Sequence, residues 1–250
     1  MSGLIQDIKP KGVSSAYVNA PFDEGKGVLE NAGYKIITGE ENAGLRVDYG
    51  KDAKVSTCGN YVREGNLMVP KKGRFITRGS LVLAHPKEAT QAHREGKEFY
   101  ITPEQAEILL TDAVEISYDA AAVPTNRFGE DPVAIFLFGK NAARYGSFLR
   151  DVVKIDNMPL SFYGQEYINS KEQPFINQVW LAGLDDVSAV DGNWSLNYYN
   201  AVRGVFFDAE GVAQQKPLQR VYASDQISDA FRIAGIQRLE SMVREVLESK

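Results

Sequence analysis

Residues 177–207 read NQVWLAGLDDVSAVDGNWSLNYYNAVRGVFF, and the reading of the whole chain turns on this stretch. Between Ala182 and Ala201 it holds only Asn, Asp, Tyr, Ser, Gly, Ala, Val and Leu plus Trp194, with no Lys, Arg, Glu, Gln or Met, in a protein that is 24% charged. Tyr, Trp, Asn, Ser and Gly are the residues of antigen-binding loops, because rigid aromatics give contact area at low entropy cost and small polar groups adapt their hydrogen bonds. The flanks differ. Trp180, Leu181 and Leu184 on one side and Val202, Val205, Phe206 and Phe207 on the other are apolar and β-prone, which predicts two strands anchored in a core. Leu184, Val190 and Leu196 recur inside as apolar pegs, and Asp191-Gly192-Asn193 favours a chain reversal. A fixed frame holding a polar, aromatic contact surface is expected.

The succession Trp180-Leu181, Leu184, Ser188, Gly192 and Leu196, closing on Val202-Arg203-Gly204-Val205, resembles the variable region of archaeal variable proteins made by diversity-generating retroelements. The resemblance implies an α+β, C-type-lectin-like fold of small antiparallel sheets with two helices. It also implies that an error-prone reverse transcriptase substitutes adenines of the coding sequence and so alters chosen surface residues. Randomising the adenines of an Asn codon that ends in a pyrimidine yields Asn, Asp, Tyr, Ser, Gly, Ala and Val among others, but never Lys, Glu, Gln, Met or Trp. The stretch passes that filter except at Trp194, which belongs either to the frame or to a different template codon. In bacterial and phage relatives the variable stretch closes the chain, whereas here about forty residues follow. The implied variable face is Asp185, Asp186, Asp191, Asn193, Trp194, Ser195, Asn197, Tyr198, Tyr199 and Asn200. The implied scaffold is Trp180, Leu184, Gly192, Leu196, Val202, Arg203 and Gly204, with the several donors of Arg203 tying the loop to backbone carbonyls.

At 250 residues the chain suffices for one large domain or two small ones. A net charge of −5 and a pI near 5.3 argue against general binding of nucleic acid or anionic membrane. Cys58 stands alone, which excludes an intrachain disulfide and a cysteine-based zinc site within one chain. The start, MSGLIQDIKPKG, has no long apolar segment, and nowhere do eighteen or more apolar residues run together. A cytoplasmic location without membrane insertion is the default expectation, with surface display by another route left open; a monomer is favoured.

Residues 1–84 read as a β-rich N-terminal portion, with apolar runs at Tyr34–Thr38, Leu45–Tyr49, Tyr61-Val62, Leu67–Val69, Phe75–Thr77 and Leu81–Ala84 between turn signals. Residues 85–223 are expected to form the lectin-like domain. There Pro86–Arg94 predicts a helix opened by proline, and Glu98–Ile101 a strand. Thr102-Pro103-Glu104-Gln105 carries a capping-box signature. Tyr118–Asp131 reads as a loop and Val133–Phe138 as a buried strand. Asn141–Val153 then reads as a helix and Met158–Tyr163 as a strand. From about Ser224 to the end, Leu239, Met242, Val243, Val246 and Leu247 mark the stripe of a C-terminal helix that covers the fold or binds a partner as an adaptor.

Other chemistry is weaker in the sequence. Gly139 and Lys140 sit between an expected strand and a helix start, where free N–H groups hold anions, and they carry the alternative reading of a nucleotide- or phosphate-binding enzyme or sensor. Neither the P-loop nor the GxGxxG spacing is present. Lys71, Lys72, Arg74 and Arg78 read as a solvated strand edge rather than a nucleic-acid strip. His85 and His93 lack the companions of a metal site. Formylglycine-generating enzymes share the lectin-like fold but use paired cysteines, and Glu172-Gln173-Pro174 does not match the calcium motifs of sugar-binding relatives. The expectation is therefore a ligand-binding protein, not an enzyme, with no cofactor or metal and an unknown macromolecular partner, protein or glycan. The acidic stretch favours a basic or hydroxyl-rich ligand over a phosphate.

Overall fold

The computed structural model describes residues 3–8, 13–185 and 188–207; Asp186 and the C-terminal helix expected from about Ser224 lie outside them. In chain order the elements are β1 (Ile5–Ile8), β2 (Val13–Ala20), α1 (Phe22–Asn31), β3 (Lys35–Ile36), α2 (Gly39–Tyr49), α3 (Lys54–Thr57), β4 (Asn60–Val69), β5 (Gly73–Thr77), α4 (Leu81–Ala84) and α5 (Pro86–Arg94). There follow α6 (Pro103–Leu110), β6 (Ala113–Glu115), β7 (Ala122–Pro124), α7 (Pro132–Phe138), α8 (Ala142–Phe148), β8 (Asn157–Ser161), α9 (Gln165–Asn169), β9 (Phe175–Leu181), β10 (Val190–Asp191) and β11 (Asn200–Phe207).

The two strands expected at the ends of the focal stretch are β9 and β11, and β4 lies between them. The strand order is β1-β2-β11-β4-β9-β10-β8-β7, with β5 and β6 continuing from β4 and β3 pairing with β11. β11 runs antiparallel to β2, Asn200 opposite Ala20, and parallel to β4 at Ala201 and Val202. β4 runs antiparallel to β9, Asn60 opposite Leu181, with a bulge between Tyr61 and Gly65. Strands from both sides of residue 84 thus share one sheet.

Side chains alternate across these strands. Val202 lies against Gly25 of α1, and Gly204 against Tyr34 and Leu29. Val205 belongs to the opposite face, where the main core joins Val62, Val179 and Leu181 to Ala43, Leu45, Leu137, Phe138 and Tyr145. So α1 covers one face while α2, α7 and α8 supply the other.

Three segments expected as strands are helical, and each carries a start signal that outweighs its apolar run. Leu45–Tyr49 ends α2, which opens on a capping box: Glu41 N–H donates to Thr38 Oγ1 at 3.1 Å and Thr38 N–H to Glu41 Oε2 at 2.8 Å. Leu81–Ala84 is capped by Ser80, whose hydroxyl accepts from Val82 N–H at 3.2 Å. Val133–Phe138 is α7, with Pro132 at its first position and the Asp131 carboxylate accepting from Val133 and Ala134 N–H, each at 2.9 Å. Glu98–Ile101 forms no strand; only Tyr100 bridges, to Phe175. The first 84 residues are therefore less β-rich than expected, because α1 and α2 lie there, between β2 and β4.

The other expectations land where the local chemistry put them. Pro86–Arg94 is α5, and the Thr102 capping box opens α6. Asn141–Val153 is helical, its last turn wound as a π-helix over Leu149–Val153. Met158–Tyr163 supplies β8, and the expected loop before it contains β7. β5 is not an edge, since β4 and β6 pair with it on either side. Arg74 is buried there and donates to the carbonyls of Ile116, Ser117, Phe162 and Tyr163, so it is no part of a solvated strip.

Candidate functional site

The segment between β10 and β11 crosses the sheet face that α1 also covers, and its main chain is gripped from below. The side-chain amides of Asn66 on β4 and Asn177 on β9 both donate to Gly192 O at 3.0 Å, and Asn177 also donates to Trp194 O at 3.0 Å. Tyr61 OH donates to Ser195 O at 2.7 Å. Phe22 N–H, a donor left free by the start of α1, reaches Leu196 O at 2.8 Å. The Leu196 side chain is fully buried, and a Cβ on Gly192 would lie 2.2 Å from Asn66 Nδ2. Every polar anchor named here holds a carbonyl, so it is indifferent to the side chain that residue carries.

Aromatic packing supports the same segment. Trp194 stacks on Trp180 with centroids 4.3 Å apart and planes 5° from parallel, and Tyr198 meets Trp194 edge-on at 5.8 Å. Trp180 itself lies against Gly59, where a Cβ would come within 1.8 Å of the indole.

His93 on α5 closes the site from the side. Leu196 N–H donates to its Nδ1 at 3.3 Å, and Ser195 Oγ lies 3.1 Å from the same nitrogen. Nδ1 is therefore the acceptor and the neutral ring carries its proton on Nε2, which is buried with no partner among the described residues. Burial lowers the His93 pKa to about 4. Among the described residues no three His, Cys, Asp or Glu side chains converge as metal ligands.

The expected variable residues fall into two tiers. Asp185, Tyr198 and Tyr199 are exposed, Tyr198 by 54% and Tyr199 by 71%. Asp191, Asn193, Trp194, Ser195, Asn197 and Asn200 are half-buried. Asp191 accepts from Asn193 N–H at 2.6 Å, and burial raises its pKa. Ser195 Oγ donates to Asn197 Oδ1 at 2.8 Å. The expected scaffold residues Trp180, Leu184, Gly192, Leu196, Val202, Arg203 and Gly204 are all buried.

Arg203 works differently from expectation. Its guanidinium does not reach backbone carbonyls but forks onto the Asp7 carboxylate of β1 at 2.8 and 2.9 Å, and donates to Asn60 Oδ1 and Ser15 Oγ. The carbonyl-binding arginine is Arg46 on α2, fully buried, which donates to Val55 O, Ala182 O, Leu181 O and the Tyr145 hydroxyl and so pins the exit of β9. Arg46 and Asn66 were not among the residues the sequence singled out; Tyr61 was read only as part of an apolar run, and His93 only as a histidine without the companions of a metal site. Gly139 and Lys140 follow a helix, α7, rather than a strand, and the Glu40 carboxylate fills the space beside Gly139 and pairs with Lys140 at 3.5 Å. That geometry turns an anion away.

No family model and no curated protein matches the chain. Among solved structures, one described as "Accommodation of massive sequence variation in Nanoarchaeota by the C-type lectin fold" is similar over 80% of this chain and 100% of its own, with a TM-score of 0.56 at 16% identity. The α+β chain has the C-type lectin fold.

Proposed function

We propose that this protein is a non-catalytic ligand-binding module whose strip from Asp185 to Asn200 is diversified by a retroelement while its backbone stays fixed. The observation that carries the reading is the mode of anchoring: the carbonyls of Gly192, Trp194, Ser195 and Leu196 are held by Asn66, Asn177, Tyr61 and the start of α1. Side chains on such a strip can be exchanged without losing those bonds. Because the frame is preformed, binding does not have to order a mobile loop. Tyr198 and Tyr199 supply contact area, and the Asp and Asn groups select the partner, a protein or a glycan.

The flanking DNA provides the test. A reverse-transcriptase gene and a near-copy of codons 177–207, differing at adenines, are expected beside the coding sequence. A binder selected from a library randomised at Asp185, Asn193, Tyr198, Tyr199 and Asn200 should retain the parental melting temperature. Loss of folding in most library members would overturn the reading.

A further inference from the structure

His93 stands outside the strip, on α5, and holds the middle of the strip by its main chain. Leu196 N–H donates to His93 Nδ1 at 3.3 Å, while Leu196 O accepts from Phe22 N–H at 2.8 Å and the Leu196 side chain is fully buried. Both main-chain groups of this residue are thus held by helices outside the strip, the carbonyl by α1 and the N–H by α5. The Asn197 side-chain amide also reaches His93 O, at 3.5 Å. Of these contacts the one at Nδ1 depends on protonation, because a ring nitrogen accepts only while it is bare.

A proton arriving at Nδ1 exchanges one partner for another. The new N–H faces Leu196 N–H, which loses its acceptor, and the acceptor within reach of the imidazolium is Ser195 Oγ at 3.1 Å, whose own hydrogen is given to Asn197 Oδ1. The charged groups on the surrounding elements are engaged elsewhere. On α1, Asp23 and Glu24 pair with Arg94 at 3.4 and 3.5 Å and Lys26 with Glu30 at 2.7 Å; beyond α5, Glu95 pairs with Lys97 at 2.8 Å; in the strip, Asp191 accepts from Asn193 N–H. Lys87 and Glu88 on α5 are exposed, and His85 at its start lies against Phe99. With no ion pair at the ring among the described residues to offset it, burial lowers the His93 pKa to about 4.

We propose that His93 is a positioning residue of the binding face: its bare Nδ1 sets the main chain at Leu196, and a proton on that nitrogen frees the segment from Ser195 to Asn197 from α5. The inference rests on the reading of the strip as the binding face. It adds a constant residue through which the shape of that face responds to acid, in a way that depends on the side chain at 195.

Nuclear magnetic resonance of the full chain tests this without a ligand. At about pH 6.5 the His93 ring should be the neutral Nε2–H form, and Leu196 N–H should be protected from exchange. Protection at Leu196 should fall about tenfold as pH drops below about 4, whereas Gly192 N–H, which donates to Ser161 O at 2.9 Å, should keep its protection. His93→Leu should lose the same protection already at about pH 6.5. His93→Asn sets an amide oxygen near the place of Nδ1, which accepts but does not titrate, and should restore the protection and remove its pH dependence. Ser195→Ala takes away the acceptor left to the imidazolium and should move the His93 titration to lower pH. Melting curves establish that each variant is folded. An Nδ1–H ring at about pH 6.5, unchanged Leu196 protection in His93→Leu, no rescue in His93→Asn, equal losses at Gly192 and Leu196 in acid, or an unmoved titration in Ser195→Ala overturns the proposal. Such a failure leaves the diversification of the strip standing, and a flanking DNA without the near-copy of codons 177–207 leaves the role of His93 standing.

Discussion

Glu64 and His93 are buried titratable groups whose effects on stability run in opposite directions, and removing either one should expose the other. Glu64 sits in the bulge of β4, where Gly39 N–H donates to its Oε2 at 2.9 Å, and burial pushes its pKa from 4.5 to about 7. The folded chain holds that proton more tightly than the unfolded chain. Glu64's contribution is therefore complete below about pH 4.5 and is lost as pH rises through about 7. His93 falls from 6.5 to about 4, so its contribution is complete above about pH 6.5 and is lost as pH falls through about 4. At 1.36 kcal/mol per tenfold change in proton affinity, each displacement is worth about 3 kcal/mol. The two slopes nearly cancel between about pH 4 and about pH 7. Urea unfolding across that range should show Glu64→Gln gaining about 3 kcal/mol with rising pH relative to the parent, and His93→Gln losing about 3 kcal/mol. Comparing pH dependences removes the constant cost of each substitution, and also the contributions of Glu41 and Asp191, whose pKa values burial raises in parent and variants alike. Parallel curves for parent and both variants, within about 0.5 kcal/mol, would refute the reasoning.

Two further outcomes separate the frame from the strip. Arg203→Ala leaves the Asp7 carboxylate facing an empty, buried guanidinium site and should cost about 3–5 kcal/mol of unfolding free energy. Tyr199→Ala, at a position 71% exposed, should stay within about 0.5 kcal/mol of the parent while weakening a selected ligand; matched losses of stability would contradict the division. Asn177→Ala strips partners from Gly192 and Trp194 carbonyls and should cost about 1–3 kcal/mol, with faster amide exchange confined to residues 191–197. Uniform protection across that segment would show that the amide is not what holds it.

Much of the sheet was legible because β9 and β11 combine apolar, β-branched and aromatic residues at the ends of a stretch of contrasting composition. Capping chemistry was legible where it was read, at Thr102 and Pro86, and misleading where the apolar run was read first. Val133–Phe138 has the residues of a buried strand, yet Asp131-Pro132 before it is a helix start, and two hydrogen bonds to Asp131 decide the matter. Thr38 and Glu41 carry the same signal ahead of α2, but the apolar run Leu45–Tyr49 was read first, as a strand. The order strand, helix, strand, helix was expected after residue 97, whereas β2, α1, β3 and α2 lay it down before residue 50.

The site was less legible, for a reason built into its physics. An anchor that bonds a carbonyl leaves no mark on the residue it holds, so the grip of Tyr61 and Asn66 on Ser195 and Gly192 cannot be seen within residues 185–200. The trace lies in the partners: Asn66 and Asn177 are buried amides opposite one another on interior strands, where asparagine is disfavoured unless its amide is used. The one breach of the composition rule then gains a cause. Where the frame touches a carbonyl, as at Ser195, the bond from Tyr61 survives a change of side chain, although the Ser195 hydroxyl itself also bonds Asn197. At Trp194 the ring itself covers Trp180, which in turn occupies the space left by Gly59. A smaller residue there would uncover the indole beneath and lose a stacked pair worth about 1 kcal/mol beyond its buried area. A residue held by its side chain cannot be swapped as cheaply as one held by its backbone, and on that ground Trp194 belongs with the frame.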